Sequence, residues 1–305
     1  MSGLLLSMQG AVSQGVLWGI MVLGVYITYK ILNIADLTVD GSFALGGCIC
    51  ATLISVFAWD PLLALIVAAL TGAVAGAITG FLHTIFEIPA ILAGILTQIA
   101  LWSINLRIMG GKSNIPLLKS RTIFTWLVDM TGLTQSQIGL LVGILIAALM
   151  IVLLYWFFGT EMGSVLRATG DNEDMIRALG VNTKRTKMLA LMISNALVAL
   201  SGGLVCQSQK YADINMGTGA IVIGLASIVI GGVLMGRLRS FGSKLVSAII
   251  GAIVYFLIRA IVLRMGMDAN DMKLLSAVIV ALALWVPVAS NKWQAKRSYS
   301  EGGNS

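Results

Sequence analysis

Charged side chains are scarce in this sequence. Only 11% of its 305 residues are Asp, Glu, Lys or Arg, whereas 58% are hydrophobic. A soluble domain carries roughly 25% charged residues, because it needs that much polar surface to face water. The low charge therefore excludes an ordinary soluble enzyme or binding domain.

Histidine and cysteine are also rare. The single His83 excludes a histidine-cluster metal site. Cys48, Cys50 and Cys206 lie in apolar runs, a position that favours neither a disulfide framework nor a zinc site. An intramembrane enzyme lacks support, because no apolar run contains a His-rich or paired-acid site. We therefore expect that the chain is not an enzyme and binds no metal.

The sequence is instead rich in apolar runs of membrane-spanning length. Such runs lie near residues 13–32, 41–58, 61–82, 89–109, 137–158, 187–206, 217–236, 241–263 and 272–289. About 20 apolar residues in a helix cross a hydrocarbon core of ~30 Å. The runs are continuous rather than alternating, which favours helices over a β-barrel. We expect an all-α polytopic membrane protein with about 8–10 transmembrane helices, in which residues 1–305 form one transmembrane domain.

The charges cluster in a few loops. Residues 159–187 hold the densest cluster, and residues 237–244 and the C-terminal tail add further cations. Two apolar runs separate each of these regions from the next, so all three can share one side of the membrane. The positive-inside rule then predicts a cytoplasmic C-terminus. The net charge of +7 reflects these loops, and we expect lipid rather than nucleic acid as a partner.

Two polar segments interrupt the apolar pattern at matching places. Ala35-Asp36-Leu37 follows the first run and Ala212-Asp213-Ile214 follows the sixth, each with Gly and hydroxyl residues close behind. Broken helices at corresponding positions indicate inverted repeats around a translocation pathway, although short Gly-rich segments also resemble each other by chance. The predicted pathway residues are Asp36, Thr38, Asp40, Ser42, Asp213, Asn215 and Thr218.

The charged loop 159–187 contains a predicted short helix from Asp171 to Leu179. Asp171 is its expected N-cap, Glu173 and Asp174 lie in its first turn, and Gly180 follows its end. The helix presents Met175, Ile176, Ala178 and Leu179 as an apolar face. That face can rest on lipid headgroups or dock into a soluble protein.

The segment from Gly163 to Asn182, with Arg167, Asn172 and Arg177, resembles the coupling loop of bacterial ABC importer permeases. The similar family is that of branched-chain amino acid, ribose and nucleoside permeases. The likeness continues through residues 187–203, and residues 26–47 resemble the first broken helix of the family. Many amino-acid permeases of this family have Asn-Phe-Ala-His-Gly where this chain has residues 35–41. The departure lies near the expected pathway, so the solute can differ from theirs.

The resemblance implies the permease of an ATP-driven importer in a bacterial inner (plasma) membrane. It implies a dimer, for which we favour two identical copies over a heterodimer, and an extracellular or periplasmic substrate-binding (lipo)protein. It places ATP and Mg²⁺ on a separate ATPase subunit, so the chain itself is expected to bind no cofactor. The residues expected to dock the ATPase are Arg167, Asp171, Asn172, Glu173, Asp174, Met175, Arg177, Leu179 and Gly180.

The expected solute is a small hydrophobic, branched-chain or aromatic amino acid. One alternative is the same importer type carrying a sugar or a nucleoside. Another is a secondary transporter driven by an ion gradient, because embedded acids and inverted repeats also occur in such carriers. A docking helix is necessary for coupling to an ATPase and superfluous for a gradient-driven carrier.

Overall fold

A computed structural model of the chain describes residues 2–235 and 240–266, together with residues 271, 274, 276–282 and 285. This part of the chain is a bundle of helices with one two-stranded sheet. The helices are α1 Ser2–Tyr26, which continues as a π-helical turn Ile27–Ile31, α2 Thr38–Ser55, α3 Pro61–Thr84, α4 Ala90–Ile108, α5 Ile123–Thr131, α6 Gln135–Gly159, α7 Glu161–Asp171, α8 Glu173–Ala178, α9 Thr183–Gln209, α10 Ala220–Leu234 and α11 Phe241–Arg264. The strands are β1 Asn114–Pro116 and β2 Tyr211–Asp213.

Seven helices of the described residues are long and apolar enough to cross a membrane: α1 with its π-helical turn, α2, α3, α4, α6, α9 and α11. Helix α10 is apolar but has only 15 residues. Together these eight helices match the first eight predicted spans and confirm an all-α multi-pass membrane protein. Half of the ninth predicted span, near 272–289, lies outside the described residues.

Helix α9 defines the two ends of the bundle. It begins beside α8, at what we call the α8 end, and it finishes beside β2, at the β end. Strand β2 pairs antiparallel with β1, placing Ala212 opposite Ile115. The loop after α4 therefore folds onto the break that follows α9.

Glycines allow α3 to pack closely on α9. Gly72 and Gly76 lie against the backbone of Asn195 and Leu191, so closely that an added Cβ would overlap the carbonyl oxygens there. Small residues at four-residue spacing permit such close approach, which drives helix association in lipid. The spacing of these glycines in the sequence is the visible signal of this contact.

The helices α1–α3 and α9–α11 are related by an approximate two-fold exchange. Ser194 Oγ donates to the Gly24 carbonyl at 2.8 Å, and Ser201 Oγ donates to the Leu17 carbonyl at 2.8 Å. Positions 17 and 194 are 177 apart in the sequence, and so are positions 24 and 201. Leu17 therefore corresponds to Ser194, and Gly24 corresponds to Ser201. Each of the two hydrogen bonds is the counterpart of the other.

The same offset relates the packing of the outer helices. A Cβ at Gly15 of α1 would lie 2.7 Å from the Ile253 Cα of α11, and a Cβ at Gly76 of α3 would lie 3.0 Å from the Met192 Cα of α9. Gly15 corresponds to Met192 and Gly76 to Ile253, so α3 packs on α9 as α11 packs on α1. Helices α1 and α9 run in opposite directions, and the predicted inverted repeat is confirmed.

Candidate functional site

The short helix of the charged loop starts one residue later than predicted. Asp171 is the last residue of α7, and the N-cap of α8 is Asn172, whose Oδ1 accepts from Met175 N at 3.0 Å. The prediction of Asp171 as N-cap was wrong, because Asn172 is the residue with the extended backbone that an N-cap needs. Gly180 follows α8 with φ +84°, as predicted for a helix end.

Most apolar residues of α8 are exposed on the surface of the bundle. Met175 is 51% exposed and Leu179 is 71% exposed, whereas Ile176 is buried against the bundle. Asp171, Asn172, Asp174, Arg177 and Gly180 are exposed beside them. Ile176 thus anchors the helix, and the other residues form a protruding surface with an apolar centre.

Glu173 fastens α8 to the start of α9. Its carboxylate accepts from Thr183 Oγ1 at 3.0 Å and from Arg177 Nη2 at 2.9 Å, and it pairs with Lys187. Partial burial alone raises the pKa of Glu173, but the hydrogen bond and charge of Lys187, with Thr183 and Arg177, outweigh it and lower the pKa. Glu173 therefore braces the protruding helix and is only partly available to a partner.

Arg167 also points inward rather than toward a docking partner. Its Nη2 donates to the Phe158 carbonyl at 2.6 Å, and its guanidinium lies 5.4 Å from the centre of the Phe241 ring. Arg167 thus ties α7 to the end of α6 and the start of α11. Among the predicted docking residues, Arg167 and Glu173 hold the loop in place and the others form its outer surface.

Helix α7 connects this surface to the first broken helix. The backbone of Gly170 lies directly against the Ile31 carbonyl, at the end of the π-helical turn, with no room for a Cβ. Helix α7 therefore packs directly on the π-helical turn that precedes the break between α1 and α2.

The side chains at that break form a buried hydrogen-bond network. Asp36 accepts from Thr38 N at 2.9 Å and from Asn195 Nδ2 at 2.8 Å, and Ser42 Oγ donates to Asn195 Oδ1 at 2.7 Å. Thr38 Oγ1 lies 2.7 Å from Thr79 Oγ1. Asp36, Thr38 and Ser42 are buried, so in this conformation they hold the break together instead of facing an aqueous pathway.

Asp40 joins the two broken helices. Its Oδ2 accepts from Gly219 N and its Oδ1 from Ile221 N, both at 2.9 Å. A carboxylate at a helix N-terminus satisfies unpaired N–H groups and faces the positive end of the helix dipole. Asp40 of α2 therefore caps α10 from across the break.

The second break is built like the first but lies at the β end. Asp213 Oδ1 accepts from Asn215 N at 2.8 Å, the same turn that Asp36 makes with Thr38 N. Asn215 and Thr218 are exposed, and Asp213 is half-buried. Asp213 and Asn215 thus shape the turn that leads to α10, whereas Thr218 reaches the cavities described next.

Two cavities adjoin the second break. A large cavity of about 680 Å³ lies between α1, α10 and α11, and Gln14, Trp18 and Arg259 contribute to its wall. A small cavity of about 300 Å³ lies between α2, α4 and residues 214–218. Asp40 lines the small cavity, and Thr218 lines both.

From the sequence, Gln98 and Asn105 of α4 either form interhelical hydrogen bonds or line the pathway, whereas Trp102 carries no signal of its own. Gln98, Trp102 and Asn105 line the small cavity. The seven-residue spacing of Gln98 and Asn105 puts both amides on one side of an otherwise apolar helix. That spacing is the pattern on which the pathway alternative rests.

The chain matches known transport proteins over most of its length. The family model described as "Branched-chain amino acid transport system / permease component" matches residues 7–284. The tyrosine transport system permease protein of Clostridioides difficile (strain R20291) is 39% identical over 276 residues, 90% of each chain. An uncharacterized protein of Rickettsia prowazekii (strain Madrid E) is 34% identical over 90% of this chain and 95% of its own length. The ribose import permease protein RbsC of Escherichia coli (strain K12) is 24% identical over 82% of this chain and 76% of its own.

Proposed function

The chain belongs to the family of branched-chain amino acid transport system permease components, and we propose that it imports an aromatic amino acid or a similar hydrophobic one. It is the membrane-spanning permease of an ATP-binding-cassette importer. The family is a transporter family rather than an enzyme family. The solute, the subunit composition and the orientation in the membrane are parts of the proposal.

The single observation that carries the coupling mechanism is the protruding surface of α8. Met175 and Leu179 present apolar area to solvent on a helix that Glu173 and Ile176 anchor to the bundle. Exposed apolar groups on a braced element suit a partner protein, because burying them gives roughly 25 cal/mol per Å². We infer that the ATPase subunit docks here and that it carries the ATP and Mg²⁺, while this chain binds no cofactor.

Docking at α8 gives the ATPase a mechanical route to the broken helices. Movement of α8 passes to α7, and Gly170 of α7 presses on the Ile31 carbonyl at the end of the first broken helix. The break between α1 and α2 carries Asp40, which caps α10. A displacement at the ATPase therefore reaches the first broken helix through packed backbone and the second through the Asp40 side chain.

The amino-acid solute is supported by the relationships of the chain. The tyrosine transport permease is 39% identical over 90% of this chain, whereas the ribose permease is 24% identical over 82%. The small cavity also combines Trp102 with polar groups, as an aromatic amino acid requires. These observations favour an aromatic amino acid over a sugar or a nucleoside.

The docking surface supports the proposed orientation and the ATPase partner, and the other partners are part of the same proposal. The α8 end faces the cytoplasm of a bacterium, and the β end faces outward, where a substrate-binding (lipo)protein delivers the solute. Two identical copies of the chain form the permease. A secondary transporter driven by an ion gradient is disfavoured, because it has no use for the protruding surface of α8.

Reconstitution tests this function directly. The chain, its ATPase and its binding protein are incorporated into proteoliposomes, and uptake of labelled L-tyrosine, L-leucine and ribose is measured with ATP on the ATPase side. We expect saturable tyrosine uptake that an ATPase unable to hydrolyse ATP does not support. Uptake by the chain alone under a proton or sodium gradient, or ATP-driven uptake of ribose but not of amino acids, contradicts the proposal.

A further inference from the structure

Asn105, whose amide oxygen is unsatisfied, lines the small cavity. Asn105 is only 1% exposed, and its Oδ1 has no hydrogen-bond partner among the described residues. Its Nδ2 reaches only the Gly41 carbonyl, at 3.5 Å. A buried acceptor without a partner costs about 1–3 kcal/mol, so its presence in a native structure calls for an explanation. A ligand that donates a hydrogen bond supplies that explanation.

The rest of the wall is suited to a cation that bears an aromatic ring. The Asp40 carboxylate lines the cavity, and Lys, Arg and His are absent from its lining in the described part of the chain. The Asp40 carboxylate accepts hydrogen bonds from Gly219 N and Ile221 N, and its oxygens have further lone pairs that can accept from a ligand. Trp102, which is 50% exposed, offers an indole face beside these acceptors. The wall therefore combines negative charge, a free acceptor and an aromatic surface.

We propose that the small cavity is a binding site for the protonated amine of an aromatic amino acid, with Asn105 Oδ1 and Asp40 receiving the ammonium group and Trp102 covering the ring. An ammonium group has three donors and no acceptor, which matches a wall of acceptor oxygens. A volume of about 300 Å³ lies at the lower end of the range for ligand pockets and suits a single small solute. This inference rests on the proposed function and identifies the solute group that the permease recognises.

The large cavity provides a matched control. Gln14 lines it, and the Oε1 of Gln14 is also buried without a partner among the described residues. The large cavity differs in charge, because Arg259 contributes to its wall. A cation is disfavoured beside that guanidinium. Gln14→Leu therefore removes a comparable amide oxygen from a cavity whose wall carries a positive instead of a negative side chain.

The test measures direct binding to the permease–ATPase complex in lipid nanodiscs, without the binding protein. Saturation-transfer NMR is recorded with L-tyrosine, with tyramine, which lacks the carboxylate, and with 3-(4-hydroxyphenyl)propionate, which lacks the amine. We expect tyrosine and tyramine to bind and to compete with each other, and the compound without the amine to bind at least about 10-fold more weakly. Asn105→Leu weakens tyrosine and tyramine by about 10- to 100-fold, the loss expected for one hydrogen bond from a charged donor.

Two further variants guard against a folding defect at the buried position. Trp102→Ala changes a half-exposed side chain and is expected to weaken tyrosine and tyramine binding several-fold, since it removes the aromatic surface. Asn105→Asp supplies a charged acceptor of the same size, and it is expected to retain tyramine binding. Gln14→Leu is expected to leave all three compounds at wild-type affinity.

Several results overturn the inference. The first is unchanged tyrosine binding in both Asn105→Leu and Trp102→Ala. The second is equal binding of the compound that lacks the amine, and the third is loss of binding in Gln14→Leu alone. Each result means that the amine does not bind in the small cavity. Failure of the proposed function is distinguished by a separate measurement, the uptake assay in proteoliposomes. In that case the complete wild-type system with ATP and binding protein takes up no tyrosine, whatever the nanodisc measurement gives.

Discussion

Replacing Asn195 with leucine tests how the first broken helix is held. Asn195 donates to the Asp36 carboxylate at 2.8 Å and accepts from Ser42 Oγ at 2.7 Å, and all three side chains are buried. Leucine has a similar size but neither donor nor acceptor, so a carboxylate and a hydroxyl each lose a buried partner. One such loss costs about 1–3 kcal/mol, and more when the group is charged. We therefore expect Asn195→Leu to lower the free energy of unfolding by about 2–5 kcal/mol.

The assay is unfolding in mixed micelles by increasing SDS, followed by circular dichroism. Asn215→Leu is the matched control, because Asn215 is an exposed asparagine, and its effect is expected within about 0.5 kcal/mol. Ser42→Ala combined with Asn195→Leu is expected to cost less than the sum of the single changes, since the two residues share a hydrogen bond. A free energy of unfolding for Asn195→Leu within about 0.5 kcal/mol of wild type refutes the assignment of this network.

Two more predictions concern the Glu173–Lys187 ion pair and the two-fold relation between α1–α3 and α9–α11. The lowered pKa of Glu173 means that its ion pair with Lys187 stabilises α8 above the ordinary glutamate pKa, and that this contribution is lost as the pH falls through the lowered value. Titration of ¹³C-labelled glutamate by NMR should show this lowered pKa and its rise in Lys187→Met; an unchanged pKa in that variant contradicts the brace. Gly15→Leu and Gly76→Leu should each destabilise by about 1–3 kcal/mol or more in the SDS assay, whereas Gly232→Leu, which has open space around it, should not. An effect confined to one of the first two variants contradicts the two-fold relation.

The membrane spans and the two breaks could be predicted from the sequence because their signals are local. An apolar run of sufficient length and an Ala-Asp-aliphatic break need no tertiary information. The start of α8 was placed one residue early because Asp171 and Asn172 are both good N-cap residues. Only the backbone, helical through Asp171 and extended at Asn172, decides between them.

The roles of the embedded polar residues could not be predicted, because they depend on distant partners. Asp36 was predicted from its place at a helix break, and no local pattern indicates its partner Asn195, which lies far along the chain on α9. Arg167 was predicted from the charged loop, and no local pattern indicates that its guanidinium donates to the Phe158 carbonyl. The small cavity combines α2, α4 and the second break, and no local pattern indicates that these three segments meet.

Met175→Asp and Leu179→Asp test most directly whether a separate ATPase docks on α8. Each variant is purified with the ATPase, and the amount of copurified ATPase and the solute-stimulated ATP hydrolysis are measured. Met130→Asp is the control, because Met130 is a 67% exposed methionine on α5, which follows β1. We expect both α8 variants to lose most of the copurified ATPase or of the stimulated hydrolysis, and Met130→Asp to retain both. If both α8 variants keep wild-type copurification and full stimulation, the ATPase does not dock on this surface.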